Sequence, residues 1–299
     1  MTKSRTIVRW VLRVLIAALF VFSAVSKLMP SAIDQFELYL YSFGFFPLNC
    51  CFILARLCIG TELVLALFTL CGWFPRTLRL VTSGLLLLFS IFLCYASLIG
   101  RNDSCQCFGE WVNLTPLWSL FKNAVLLALV LVYYKLVGFD SFDRKRWKLI
   151  VASVCGVGLM VLPFVVSIPD SWYFGPEKQP YNPEALTEWY DSHSGNQALP
   201  QSHNQVIVAF VTPRCHYCQL ARKKLDAIIS RHHIDPSLLL YVEPLQKENT
   251  PGAIAIPAQQ FIDITRGARP LVFLLDGPKV VATYHLRNID ENQIANFFK

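Results

Sequence analysis

The chain has 299 residues, of which 54% are hydrophobic and 16% are charged, and its formal net charge is +7. Soluble globular chains carry about 25% charged residues, so much of this chain must face something other than water. The basic residues stand beside long apolar stretches and form no patch on a soluble segment, which argues against nucleic acid as a partner.

Five apolar stretches are long enough to cross a bilayer as helices, which takes about 20 residues each. They cover residues 7–28, 51–70, 78–99, 116–137 and 149–168. Residues 31–46 are apolar too, but polar or flexible positions interrupt them, namely Asp34, Gln35, Glu37 and Gly44. This segment therefore predicts an amphipathic helix at the membrane interface.

The basic residues of the connections predict the orientation. They concentrate in the N-terminus, in residues 73–79 and in residues 138–148, whereas residues 29–50 have none and residues 100–114 have only Arg101. The positive-inside rule then places the N-terminus in the cytoplasm of a bacterium and the C-terminal segment in the periplasm. A cleaved signal peptide is the alternative interpretation of the first span, and it leaves the downstream orientation unchanged.

Three regions follow from this division of the chain. They are a transmembrane bundle over 1–168, a linker with a leading helix over 169–195 and a soluble domain over 196–299.

A Cys-x-x-Cys motif stands between a buried strand and a helix of the soluble domain. The strand is predicted over residues 206–212 and the amphipathic helix over residues 219–230, with Cys215 and Cys218 at the junction. A thiolate of Cys215 would face unpaired backbone N–H groups and the positive end of the helix dipole, and a protonated His216 would add to this stabilisation. Cys218 lies one turn on, where it can resolve a mixed disulfide.

The elements after the motif are a strand, a short helix, an X-Pro step, a hairpin and a final helix. They are predicted at residues 238–243, 256–263, 269–270, 271–284 and 290–298. This order resembles the thioredoxin superfamily over about 110 residues. The resemblance implies that Pro270 is cis and packs beside the dithiol, and that Arg269 shapes the substrate-facing rim. A zinc half-site is the alternative, but His232 and His233 are adjacent and not at ligand spacing.

The predicted outer loop between the third and fourth spans carries Cys105 and Cys107. When extended, such a pair has Cα atoms about 6.6–7 Å apart, just beyond comfortable disulfide distance. A turn at Gly109 would bring the two thiols together in a strained, exchangeable ring. A static disulfide and two unpaired cysteines are the alternatives.

The membrane half resembles the MauE/DoxX family. The resemblance rests on three patterns, which are Cys-x-Cys-Phe-Gly at 105–109, Arg13…Phe20…Ser23…Lys27, and Arg56…Gly60-x-Glu62. It implies a redox-associated membrane domain, since MauE is linked to maturation of a disulfide-rich dehydrogenase. With the soluble domain, the fold class is an α-helical membrane bundle of about five transmembrane helices followed by an α/β thioredoxin-like domain.

The overall plan is similar to that of bacterial vitamin K epoxide reductase homologues, which pass electrons through loop cysteines to a membrane quinone. A membrane quinone is therefore the one cofactor that the resemblance suggests, and no metal is expected. This chain has Cys-x-Cys where those proteins have Cys-x-x-Cys, so their quinone site does not carry over residue by residue.

Other polar and thiol groups have two interpretations each. Cys50 and Cys51, at the predicted outer end of the second span, form either a thiol shuttle or a small-residue interface. Glu62 lies near mid-membrane and needs a partner, for which Arg13 is the nearest candidate in depth; the pair would be structural or would handle protons. Lys27 is expected to reach the membrane surface. No role is assigned to the remaining cysteines, namely Cys58, Cys71, Cys94 and Cys155.

Three functions are open from the sequence. The first is a membrane thiol–disulfide oxidoreductase that exchanges electrons between periplasmic protein thiols or disulfides and the membrane domain, and it becomes a disulfide oxidase if a quinone binds. The second is a reductive conduit to the periplasm, and the third is a non-catalytic assembly factor for a disulfide-containing client.

Overall fold

The structure, a computed structural model, describes residues 3–100, 115–137, 146–169, 172, 181–194, 204–246 and 249–299. It consists of two compact units. The first comprises Met1–Leu40 and Cys50–Pro169, and the second comprises Tyr41–Asn49 and Asp170–Lys299.

The first unit is built from six helices in the described part of the chain. They are α1 (Lys3–Lys27), α2 (Pro30–Tyr41), α3 (Leu48–Cys71), α4 (Pro75–Leu98), α5 (Pro116–Val137) and α6 (Arg146–Val166). Five of them are long and apolar enough to cross a membrane, and α2, with 12 residues, is too short. The prediction of five transmembrane helices is confirmed, with boundaries that differ by a few residues.

The bundle buries one apolar face of each helix and leaves another apolar face exposed. Ile16 of α1, Leu65 of α3, Leu86 of α4 and Val130 of α5 meet in one buried cluster. Outside this core, large apolar side chains such as Leu98 are exposed on every spanning helix. A surface of this kind is stable in hydrocarbon, where exposed leucine and valine side chains cost nothing.

Helix α2 packs into the bundle as well. Ile33 joins a small cluster with Ala24 of α1 and Ile59 of α3, and the Phe36 and Glu37 side chains are also buried. The helix predicted from residues 31–46 is therefore present, although it ends at Tyr41, and its apolar residues pack against α1 and α3. Its place at the membrane interface stays a prediction.

Helices α3 and α6 approach each other at a glycine. A Cβ placed on Gly60 would lie 3.0 Å from the Met160 Cα and 3.1 Å from the Met160 carbonyl oxygen. A small residue is needed there because any side chain would push the two backbones apart, and such contacts are typical of helices packed in membranes.

The second unit has four α-helices and five strands in the residues described. They are α7 (Pro183–Ser194), β1 (Gln205–Phe210), α8 (His216–His232), β2 (Leu239–Pro244), β3 (Ile254–Ile256), α9 (Ala258–Thr265), β4 (Leu271–Asp276), β5 (Lys279–Tyr284) and α10 (Glu291–Phe297). The strand order is β3-β2-β1-β4-β5, with β1 parallel to β2 and antiparallel to β4. This mixed sheet with helices on both faces is the thioredoxin-like fold that the sequence predicts.

Side-chain alternation along β1 divides the core into two layers. Val208 and Phe210 pack with Trp189 of α7 and Phe261 of α9 in one cluster, and β4 contributes Phe273 to it. Helix α8 buries a different set, including Leu225 and Ile228, and it contacts α10. The central strand is thus covered on both faces, and its C-terminal end supports the start of α8.

Glu291 of α10 joins segment 41–49 to this unit. Its carboxylate accepts hydrogen bonds from the Tyr41 hydroxyl at 3.0 Å and from the Leu48 backbone N–H at 3.0 Å. His232 Nε2 lies 2.9 Å and Arg231 Nε 3.5 Å from the same carboxylate. Burial alone would raise the pKa of Glu291, but these hydrogen bonds and the Arg231 charge outweigh it and lower the pKa.

Replacing Trp189 tests whether α7 belongs to the core of the second unit. Trp189→Ala removes a side chain that is completely buried, so it should reduce the free energy of unfolding of this unit by about 3–5 kcal/mol. The measurement is a urea titration of the full-length protein in detergent, followed by protease susceptibility of the C-terminal unit. The control is Glu188→Ala, an exposed position on the same helix, and an equal effect of both changes would contradict the packing.

Candidate redox site

Cys215 lies where the central strand gives way to a helix. β1 ends at Phe210, and the Cys215 N–H donates to the Thr212 carbonyl oxygen at 3.2 Å in the turn that follows. Cys215 is then the N-cap of α8, and its Sγ accepts the Cys218 N–H at 3.3 Å. The predicted position of this thiol at a helix start agrees with the structure, and the backbone N–H of the third residue of α8 points at its sulfur.

Cys218 differs from Cys215 in its surroundings. Cys218 is completely buried, whereas Cys215 is partly exposed. Burial, followed by the hydrogen bond with Cys215, raises the pKa of the Cys218 thiol to about 12, although the nearby Thr212 opposes the shift. The Thr212 Oγ1 lies 3.7 Å from the Cys218 sulfur.

This asymmetry suits a two-step thiol exchange. A partner sulfur can reach Cys215, while the buried Cys218 lies one turn away within the same motif. Thiol–disulfide exchange needs one accessible sulfur for the mixed disulfide and a second sulfur to resolve it. The Cys-x-x-Cys motif provides both.

The other predicted site residues of this unit are His216, Arg269 and Pro270, which differ in exposure and in backbone geometry. His216 and Tyr217 are exposed at the start of α8, with their ring centroids 5.9 Å apart. The Arg269–Pro270 peptide is cis, as the thioredoxin resemblance implies. Pro270 is buried and Arg269 is exposed immediately before β4.

A second polar cluster lies in the membrane bundle around Glu62. Lys27 Nζ donates to both carboxylate oxygens of Glu62, at 2.8 Å and 3.0 Å, and to Ser23 Oγ at 2.7 Å. Ser23 Oγ donates in turn to Glu62 at 3.1 Å. All three side chains are buried. Cys58, one turn before Glu62, interacts electrostatically with both charged groups.

The predicted partner of Glu62 is wrong. Arg13 donates to the Tyr133 hydroxyl at 3.1 Å and lies over the Trp10 ring, whereas Lys27 is buried and pairs with Glu62. Depth along the membrane misled the prediction, because it ignores which face of each helix points inward. The spacing of Ser23 and Lys27, one turn apart on α1, is the sequence signal that could have identified the pair.

Sequence reasoning also missed a second buried ion pair. Arg56 of α3 pairs with Glu37 of α2 and donates through Nε to the carbonyl oxygen of Ser167, which follows α6. It also donates to the Phe52 carbonyl oxygen at 2.7 Å. This arginine therefore joins α2, α3 and the end of α6.

The predicted thiols of the membrane half are only partly within the described residues. Cys105 and Cys107 lie outside them. Cys50 is exposed and Cys51 completely buried in the first turn of α3. The two cysteines thus differ in exposure, and the choice between a thiol shuttle and a small-residue interface stays a prediction. In the described ranges no group of three or more His, Cys, Asp or Glu side chains is placed to hold a metal ion.

A bundle of membrane-spanning helices followed by a thioredoxin-like domain with a Cys-x-x-Cys motif defines a membrane protein of the thiol–disulfide redox class. Residues 5–136 match the family described as "Methylamine utilisation protein MauE", and the predicted resemblance of the membrane half is thereby confirmed. The chain is also 25% identical over 277 residues to "Protein TlpB" of Flavobacterium psychrophilum, an alignment that covers 77% of this chain and 75% of that protein. No solved structure matches the chain.

The two thiols should differ in reactivity. In a Cys215→Ser protein at pH 8, we expect iodoacetamide to modify Cys218 about a hundredfold or more slowly than it modifies glutathione. The reason is that each unit by which the pKa exceeds the usual value lowers the thiolate fraction about tenfold. Mass spectrometry of the peptide that contains residue 218 gives the rate. The matched protein is Cys218→Ser, in which Cys215 should react faster, and equal rates in the two proteins would contradict the asymmetry.

Proposed function

We propose that the protein is a membrane-bound thiol–disulfide oxidoreductase that oxidises protein thiols in the periplasm. The observation that carries the proposal is the pairing of a partly exposed Cys215 at the N-cap of α8 with a buried Cys218. A non-catalytic binding domain would have no need of this arrangement.

The oxidation balances in two exchange steps. A client thiolate attacks the Cys215 sulfur of the Cys215–Cys218 disulfide, which forms a mixed disulfide and releases Cys218 as the leaving thiolate. A second client thiolate attacks the client sulfur of that mixed disulfide and releases Cys215. The client gains one disulfide, and the domain holds two electrons as the reduced dithiol. The leaving Cys218 is protonated readily, because burial raises its thiol pKa.

The dithiol must then be reoxidised, and we assign this step to Cys105 and Cys107. The distribution of basic residues places these two cysteines on the same side of the membrane as the soluble domain. Exchange with a Cys105–Cys107 disulfide would return Cys215 and Cys218 to the disulfide and leave the loop pair reduced. Cys50, exposed at the start of α3, is a candidate carrier between the two pairs.

Redox trapping in cells tests this relay. Cells are quenched with acid and their thiols are labelled with a maleimide of high mass. We expect loss of Cys105 in Cys105→Ser to raise the reduced-to-oxidised ratio of Cys215/Cys218 at least about tenfold, which is about 30 mV for a two-electron couple. The control is Cys94→Ser, which removes a thiol to which no role is assigned. It should leave the reduced-to-oxidised ratio of Cys215/Cys218 unchanged. An unchanged ratio in Cys105→Ser as well would contradict the relay.

A second arm of the experiment identifies the attacking sulfur. In Cys218→Ser, Cys215 can be oxidised only by exchange with the Cys105–Cys107 disulfide, and a client thiolate that then attacks Cys215 forms a mixed disulfide that no Cys218 thiolate can reverse. These mixed disulfides should accumulate, visible as bands of higher mass that a reductant removes. Cys215→Ser should give none. If Cys215→Ser cells mature their clients normally, the protein acts as an assembly factor and not as an oxidoreductase.

One observation favours a second function, a reductive conduit. Cys71 at the end of α3 and Cys155 of α6 interact electrostatically, and a reductive conduit would use these two thiols to receive electrons. In that case electrons would run outward to Cys215/Cys218. Cys105→Ser would then accumulate the disulfide form of this dithiol, the opposite of the result expected for the oxidase.

A further inference from the structure

The membrane bundle contains a cavity of about 550 Å³, which is within the usual range for small-molecule sites. Residues of α1, α2, α3, α4 and α5 line it. Most of the lining is apolar and rich in aromatic rings, contributed by Phe20, Phe22, Phe36, Phe89, Trp118 and Phe121. A site so lined favours a ligand with a flat or ring-shaped apolar part.

The polar part of the wall is the cluster of Ser23, Lys27 and Glu62. Lys27 Nζ lies within 3.0 Å of both Glu62 oxygens, and it is 5.9 Å from the centre of the Phe36 ring. Asn123 of α5, a buried amide, also lines the cavity. An ammonium, a hydroxyl, a carboxylate and an amide thus border the same apolar space.

Stability alone does not account for this cluster. Removing two charges from water costs several kcal/mol per ion, and apolar residues of similar volume are often as good or better in such places. An ionisable pair inside a membrane bundle is therefore a functional hypothesis by default. Its position on the wall of a cavity indicates that the pair faces a ligand.

The cavity has a path to the bilayer in the part of the chain that the structure describes. Trp118 and Phe121 of α5 line the cavity, yet they are 64% and 62% exposed. Because α5 is apolar and long enough to cross a membrane, these exposed side chains would face hydrocarbon, and a ligand would enter the cavity between them. Such a ligand must itself be soluble in lipid.

We infer that the cavity binds the ring of a membrane quinone. The inference rests on the proposed function, in which two electrons from thiols need an acceptor that resides in the membrane. A bound quinone would accept two electrons and two protons. It would be reduced to a quinol while one dithiol is oxidised to a disulfide. A fatty acyl chain would fill the apolar part but would leave the Ser23, Lys27 and Glu62 groups without a use.

The polar side chains have separate tasks in this assignment. The Lys27 ammonium and the Ser23 hydroxyl donate their hydrogen bonds within the cluster when no ligand is bound. To hold a ring oxygen and stabilise negative charge on it, Lys27 exchanges one of these bonds for the ligand. Glu62 orients Lys27 toward the cavity wall by accepting two of its hydrogen bonds. The two protons of the quinol come from the two thiols that are oxidised, so the electrons and protons balance.

Photolabelling of the full-length protein in lipid nanodiscs tests the site. The probe is a photoreactive azido derivative of decylubiquinone, and the labelled residues are identified by proteolysis and mass spectrometry. We expect labels on cavity residues of α1, α4 or α5, competed by unlabelled decylubiquinone and not by the same concentration of oleic acid. Equal competition by oleic acid would overturn the inference in favour of a lipid-tail cavity.

Two substitutions on one helix give a matched pair. Leu85 lines the cavity, whereas Leu88 of the same helix lies outside the lining and is 66% exposed. Leu85→Trp should fill the cavity and weaken probe binding at least about tenfold, and Leu88→Trp should change it less than about twofold. Labelling that Leu85→Trp leaves unchanged would overturn the assignment.

A double substitution tests the polar end of the cavity without leaving a buried charge unpaired. Lys27→Met combined with Glu62→Gln removes both charges and should weaken probe binding about tenfold or more, because a hydrogen bond from a charged donor is lost. Lys27→Arg keeps the charge and should retain affinity within about threefold. Unchanged binding in the double variant would overturn the role of the pair.

The experiments distinguish a failure of the proposed thiol relay from a failure of the proposed quinone site. A Cys215→Ser/Cys218→Ser protein should bind the probe as well as the unchanged protein, because binding needs no thiol. If redox trapping shows no relay but the probe still labels the cavity with the expected competition, the proposed function fails and the binding site stands. If the relay operates and no cavity residue is labelled, the site is wrong.

Discussion

A charge inside hydrocarbon needs a partner within the protein, and this requirement organises the membrane bundle. Two buried ion pairs meet it, Lys27–Glu62 between α1 and α3 and Arg56–Glu37 between α3 and α2. Both use α3 as the common member. Van der Waals packing around Val130 and Gly60 can then bring α4, α5 and α6 against this charged framework. Helix α2, too short to cross, is held by the Glu37 contact and by the apolar cluster at Ile33.

The soluble unit meets a different constraint, since its site must keep one sulfur available and another protected. A five-stranded sheet covered on both faces fixes the end of β1, and that end determines where α8 begins. Cys215 consequently occupies a position at which backbone N–H groups have no helical partner, and its sulfur accepts one of them. Cys218 is carried into the interior by the first turn of the same helix. The chemical difference between the two sulfurs thus follows from backbone geometry.

Local patterns were sufficient for most of the fold. Apolar length predicted the five spans, and the strand–motif–helix order around Cys215 predicted the thioredoxin-like unit. The three-residue strand β3 was not predicted, because it pairs only with β2 and carries too short a pattern to recognise. The partner of Glu62 was predicted wrongly because pairing between two residues 35 positions apart, on different helices, depends on the rotation of each helix, which periodicity in one helix does not give. The cavity was not predicted, because empty space is a property of packed helices and leaves no signature in any single one.

The Glu291 contacts have a practical consequence for work on the soluble unit. That unit is discontinuous in sequence, since it includes residues 41–49, of which Tyr41 and Leu48 satisfy the carboxylate of α10. A C-terminal fragment produced by itself would lack both donors and expose a carboxylate that is buried in the whole chain. Redox potentials or client affinities measured on such a fragment would describe a domain with one native surface missing. Supplying residues 41–49 as a fused or added peptide would restore that surface.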